Sequence, residues 1–252
     1  MKENIIFIHG LTGNQRAFNK QMNYFKGKYN TYSYNLLGHG DDRGQQVDFS
    51  LDKLVQQLEE LYENKGIDEA HLCALSFGCY PGTIFATKWK YKVSSLCFIG
   101  GHYNFPSRLF EVFMHYWDNL DEDYSTWLKK YTNAIYPKGN VFDHYSTLSQ
   151  KIYYKYGLEL EESILLRAIE HRLEYDLRSD LRKLEVPILW VMGEHDYLYK
   201  SSLKELNKDI PHVIYREIKY AGHAANLYRP NCFKDMYEEF LVQHQQEKTH
   251  TY

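Results

Sequence analysis

Ala70-His71-Leu72-Cys73-Ala74-Leu75-Ser76-Phe77-Gly78 is the stretch that decides how this chain folds. The largely apolar run over 70–75 suits a strand buried on both faces, and from Ser76 to about residue 90 the pattern turns helical, with Ile84, Phe85 and Trp89 on a shared side. A serine therefore sits where a strand hands over to a helix. Ala74 and Gly78, two before and two after it, are small enough for the tight turn that holds a nucleophile exposed at a strand end. Taken alone, a serine in such a pattern is more often a helix N-cap than a nucleophile. Pro81-Gly82 predicts either a kink in the helix or an altered turn, because proline removes a helical donor and crowds the carbonyl one turn back.

Upstream, Ile5-Ile6-Phe7-Ile8 is a short β-branched run stopped by His9-Gly10, and a second strand is expected over 31–37, closed by Gly38-His39-Gly40. Phe18, Met22 and Phe25 recur between them at helical spacing. Ser50 is an N-cap candidate for a helix carrying Leu51, Leu54, Leu58 and Leu61 on one face and running out near Gly66. Downstream, strands are expected over 93–99, 187–192 and 213–220, with a helix near 201–207 and a last one over 224–243 whose polar continuation frays. This alternation predicts an α/β protein: a mostly parallel open sheet flanked by helices. Between 102 and 177 the rhythm breaks, with helix-like segments over 109–120 and 161–177 and no strand. The organisation expected is a core formed by residues 1–101 and 178–252, with 102–177 inserted as a helical cap.

Composition removes several alternatives. With 252 residues, 44% hydrophobic and 25% charged, the chain fits one globular domain carrying an insertion. A formal net charge of −3 gives no electrostatic reason to expect nucleic acid or an anionic membrane as partner. No run is long enough for stable membrane insertion, and the start lacks the apolar region of a signal peptide. Cys73, Cys79, Cys97 and Cys232 stand singly without metal-ligand spacing, so reduced thiols and a cytoplasmic location are expected, with no metal. Oligomeric state is not legible. Aromatic content is 16%, with 24 Tyr.

In an open α/β sheet, ligands gather at the carboxyl ends of strands. Asp196 follows the strand over 187–192 in Gly193-Glu194-His195-Asp196, and His223 follows the next in Ala221-Gly222-His223. Each alone reads as a turn residue; together with Ser76, in the order serine, acid, histidine, they make a catalytic set. A serine hydroxyl must lose its proton as it attacks, imidazole can take it, and a carboxylate fixes the imidazole tautomer and steadies the imidazolium. Glu194 is the competing acid, two residues nearer the strand. An oxyanion would be met by the backbone N–H of Phe77 and, from the His9-Gly10-Leu11-Thr12-Gly13 loop, that of Leu11. Leu109, Phe110, Phe113, Met114, Trp117 and Leu120 form an apolar helical face in the insertion, more often core than pocket; Phe113 and Trp117 are the candidate pocket residues. Arg16, Arg43 and Arg108 are read as solvated, and His39 as turn architecture.

With Phe7-Ile8-His9-Gly10, Asn35 to Gly40, Ala74 to Gly78, Val186 to Asp196 and Gly222-His223, the chain resembles the α/β-hydrolases that include small esterases and lipases. The resemblance spans nearly the whole chain. It implies a largely parallel eight-stranded sheet, here lacking its first strands, a helical cap, no cofactor and a small-molecule ester as substrate. Ala74 departs from the usual glycine. The function expected is cleavage of carboxylic esters by an acyl-enzyme route, with thioesters suited to the same machinery. The alternatives are a lyase or carbon–carbon hydrolase like those of menaquinone and ring-fission pathways, or a hydrolase homologue kept for ligand binding; metal-dependent hydrolysis ranks below both.

Overall fold

The computed structural model describes residues 2–42, 47–104, 123–136 and 144–250. Six strands, β1 (Asn4–Ile8), β2 (Asn30–Tyr34), β3 (Ala70–Leu75), β4 (Val93–Ile99), β5 (Ile188–Gly193) and β6 (Val213–Ile218), form one sheet in the order β2-β1-β3-β4-β5-β6. Every neighbouring pair is parallel. β3, β4 and β5 are buried at each residue, which is why they read as continuous apolar runs.

Among the described residues the helices are α1 (Asn19–Phe25), α2 (Leu51–Lys65), α3 (Cys79–Lys88), α4 (Tyr124–Ile135), α5 (His144–Gly157), α6 (Glu162–Glu174), α7 (Arg178–Leu181), α8 (Tyr197–Ser201), α9 (Leu206–Asp209), α10 (Ala225–Tyr228) and α11 (Pro230–His250). Successive strand residues point to opposite faces, and the two cores follow that alternation. Ile6, Ile8, Leu72 and Ala74 pack with Leu54 and Leu58 of α2. Ile5, Phe7, Cys73 and Leu75 pack with Phe233 and Tyr237 of α11. Among the described residues, α4, α5 and α6 fall between β4 and β5 in the chain and contribute Trp127, Leu128, Tyr153, Ile164 and Ile169 to the first core. Among the described residues no helix is long and apolar enough to cross a membrane.

Several boundaries differ from expectation, each for a local reason. β2 ends at Tyr34 rather than at residue 37, because the Leu36 N–H donates to His9 Nε2 at 2.8 Å and the Leu37 N–H to Gln57 at 3.0 Å, which takes both out of the ladder. Pro81 is accommodated without interrupting α3, which runs unbroken from Cys79 to Lys88. It is the third residue of α3, in the first turn, where backbone N–H groups have no intrahelical acceptor to lose. The expected helix over 201–207 is replaced by α8 and α9 on either side. The last helix is broken at Arg229, restarts with Pro230 in its first position, and continues through its polar end to His250.

Candidate active site

The strand order reverses around β1, with β2 on one side and β3 on the other, so the crevice of the sheet opens at the carboxyl ends of β1 and β3. Ser76 stands at that opening with φ +50, a left-handed conformation uncommon for a residue with a Cβ, and a 3-10 turn over Ser76–Gly78 leads from it into α3. Gly78 is required by close approach: a Cβ there would lie 2.7 Å from the His9 carbonyl oxygen. The Ala74 methyl faces α3 at Gly82, where even an added Cβ would stand 3.9 Å away, so the departure from glycine fits without displacing the helix.

The loops after β5 and β6 bring the other two residues to the serine. His223 Nε2 lies 2.8 Å from Ser76 Oγ, and His223 Nδ1 lies 2.7 Å from Asp196 Oδ2. A carboxylate only accepts, so Nδ1 carries the proton and donates to Asp196, which leaves the Nε2 lone pair facing the Ser76 hydroxyl. Both Asp196 and His223 are buried. The His195 N–H donates to the Ala221 carbonyl at 3.0 Å and ties the two loops together. Gly100, at φ +57 beyond β4, lets the histidine loop close in: a Cβ there would fall 2.5 Å from the His223 carbonyl oxygen. Glu194 is occupied elsewhere, accepting the Tyr220 N–H at 3.0 Å. Asp196, not Glu194, is the acid that meets the imidazole.

The loop after β1 faces the serine turn. The Gly13 N–H donates to the Gly10 carbonyl at 2.9 Å, Thr12 takes a left-handed φ of +61, and a Cβ on Gly10 would come within 3.2 Å of Ser76 Cβ. Leu11 and Phe77 follow the two facing chain ends, and both are buried. His9 holds this loop by using both ring nitrogens: Nε2 accepts from Leu36, so Nδ1 carries the proton and donates to the Gly10 carbonyl at 2.8 Å. Burial, reinforced by His39 nearby, pushes His9 down to about 3, so the ring is neutral. His39 is buried and bonds the Leu37 carbonyl at 3.0 Å, the turn role read from the sequence.

A cavity of about 420 Å³ opens over Ser76 and His223. Its far wall is mostly apolar, from Tyr136 at the end of α4, Leu148, Ile152 and Tyr153 on α5, and Leu227 on α10. Phe113 and Trp117 lie outside the described residues. The α5 lining was missed, although Leu148, Ile152 and Tyr156 recur every four residues. A second, more polar hollow of about 360 Å³ adjoins the first along Thr12, Gly13, Asn14 and Arg16. Arg16 is exposed at that junction; Arg43 and Arg108 fall outside the described residues. Among the described residues no group of three or more His, Cys, Asp or Glu side chains could hold a metal ion.

A parallel sheet with a strained serine after its third strand and an Asp–His pair on later strand ends defines the hydrolase class of α/β folds. The chain belongs to the alpha/beta hydrolase family, which it matches over residues 5–231. It is 22% identical over 251 residues to the uncharacterized carboxylesterase nap of Bacillus subtilis, covering 94% of this chain and 78% of that protein. It is also 22% identical over 244 residues to a pimeloyl-[acyl-carrier protein] methyl ester esterase of Legionella pneumophila, covering 94% of each. Among solved structures, a carboxylesterase of Nitrososphaera gargenis superposes with a TM-score of 0.79 at 16% identity, over 98% of this chain and 92% of the other. The enol-lactonase of Burkholderia xenovorans follows at 0.77 and 17%, over 96% and 92%.

Proposed function

We propose that this protein is a serine hydrolase that cleaves carboxylic esters, and with the same machinery thioesters, of small apolar or aromatic substrates through an acyl-enzyme. The observation that carries the reading is the unbroken hydrogen-bond relay Ser76–His223–Asp196 at the mouth of an apolar cavity. Ser76 Oγ attacks the carbonyl carbon as its proton passes to His223 Nε2, and the carbonyl oxygen becomes an oxyanion met by the Leu11 and Phe77 N–H groups. Collapse breaks the ester bond, and the alcohol leaves with the proton from His223. Water, giving its proton to the same nitrogen, then releases the acid and restores Ser76. Asp196 holds the ring and stabilises the imidazolium in both halves. The esterase names of relatives at about one-fifth identity support ester cleavage over the lyase alternative.

The test is labelling with a fluorophosphonate, then turnover of p-nitrophenyl esters of increasing acyl length. Labelling is expected at Ser76 and absent in Ser76→Ala, and Asp196→Asn should lower kcat by roughly 10³ to 10⁴. An unmutated protein that takes no label would overturn the nucleophile assignment; labelling without ester turnover would favour the lyase or the binding protein.

A further inference from the structure

The imidazole of His223 is held by more than its two hydrogen bonds. Tyr199, on α8 immediately beyond Asp196, stacks on the imidazole with ring centroids 4.2 Å apart and planes 26° from parallel. Tyr136, from the end of α4, packs against the same ring at 5.8 Å and 60°. One short stretch of chain thus supplies both the carboxylate at the edge of the imidazole and the aromatic ring over its face. Tyr199 is itself held beside the inserted helices, where buried Arg172 of α6 is close enough to act on its hydroxyl electrostatically and donates to the Tyr131 hydroxyl at 3.2 Å.

We propose that Tyr199 is a positioning residue for the reaction: its ring fixes the plane of the His223 imidazole and stabilises the imidazolium formed when Ser76 gives up its proton. This rests on the serine-hydrolase reading above. A cation over an aromatic face within ~6 Å is attracted by the ring quadrupole, most strongly where water is excluded, and a buried imidazolium meets both conditions. Among the described residues, the polar and titratable groups around His223 are Ser76, Asp196, Tyr136, Tyr199 and His102, with Arg172 beyond Tyr199. His102, whose ring lies 4.8 Å from that of Tyr199, does not compete for the proton, since burial and then Arg172 hold it well below the usual imidazole range.

Tyr199→Leu keeps the site apolar and removes the ring, whereas Tyr199→Phe keeps the ring and removes the hydroxyl. With p-nitrophenyl butyrate, Tyr199→Leu is expected to lower kcat about tenfold with KM within about twofold, and to move the acidic limb of kcat/KM down by about one pH unit. Tyr199→Phe should recover kcat to within about threefold. The fluorophosphonate labelling rate should fall in parallel for Tyr199→Leu. A folded Tyr199→Leu protein with unchanged kcat and an unmoved acidic limb overturns the proposal, and so does a rate loss that Tyr199→Phe shares in full. If Tyr199→Leu does not fold, the unmutated protein decides by NMR: the His223 Cε1–H proton should be displaced upfield by the stacked ring in it and in Tyr199→Phe alike, and an undisplaced signal overturns the proposal. Absence of labelling in the unmutated protein would instead remove the underlying serine-hydrolase reading.

Discussion

The cavity over Ser76 has two walls built on different principles. Along the carboxyl edge of the sheet, position is set by backbone: Ser76 in a left-handed conformation, Gly78 and Gly100 with no room for a Cβ, and His9 spending both ring nitrogens on main-chain groups. Across from it, Tyr136, Leu148, Ile152 and Leu227 meet the cavity with side-chain surface, and Ile152 and Leu227 remain 40% and 43% exposed. Backbone contacts of this kind tolerate almost no displacement, whereas half-exposed apolar contacts adjust. Under the function proposed above, the sheet edge sets which reaction can run, and the opposite wall, largely from the insertion, sets which substrates fit.

That contrast can be broken at its stiffest point. Gly100→Ala puts a methyl against the His223 carbonyl oxygen at a left-handed φ, so His223 must move. A drop of about a hundredfold in kcat for p-nitrophenyl acetate is expected, since ~1 Å of misplacement costs a reaction of this kind about that much. Near-normal kcat would show that the edge is more forgiving than its geometry implies.

Acid should loosen the same edge. His9 is neutral in the fold at about 3 and ordinarily titrates near 6.5, so the stability it contributes is complete above pH 6.5 and drains away as pH falls toward 3. His39, depressed by burial to about 4, acts with the same sign. Between pH 7 and pH 5 each of the two rings should take ~2 kcal/mol from the unfolding free energy in urea, ~4 kcal/mol together. A flat profile over that window would mean the loop after β1 does not depend on a neutral His9.

The smallest effect belongs to the opposite wall. Ile152→Ala trims an apolar side chain that is already part-solvated, so KM for hexanoyl and octanoyl esters should rise only ~2–5-fold, with kcat and the acetyl ester nearly unchanged. A large loss of kcat would place chemistry on the inserted wall and erase the distinction.

The same division governs what could be read in advance. β1, β3, β4 and β5 are buried on both faces and announce themselves as apolar runs, and a serine, an aspartate and a histidine placed just after strands need only the chain order to be brought together. The end of β2 was not legible because the bond that terminates it comes from His9, 27 residues earlier. α4 and α5 carry apolar stripes at helical spacing, Trp127, Leu128, Tyr131 and Ile135 and then Leu148, Ile152 and Tyr156, yet the helices expected in the insertion covered only 109–120 and 161–177. The pocket lining at Leu148 and Ile152 was lost with α5. Nor does any local pattern place the ring of Tyr199 on His223, since that contact exists only once the loops after β5 and β6 have folded against each other.

The inserted wall is also cheap to carry. The chain between Ile99 and Ile188 is about five times as long as that between Leu75 and Val93, yet both link neighbouring strands of one sheet. Each doubling of a flexible connection adds only ~0.6 kcal/mol of closure entropy, so even if the insertion contributed no contacts of its own, joining β4 to β5 through it would cost the sheet about 1.4 kcal/mol more than a short crossover. Cavity-lining segments of very different length can hang from that one junction while the edge that holds Ser76, Asp196 and His223 stays closed.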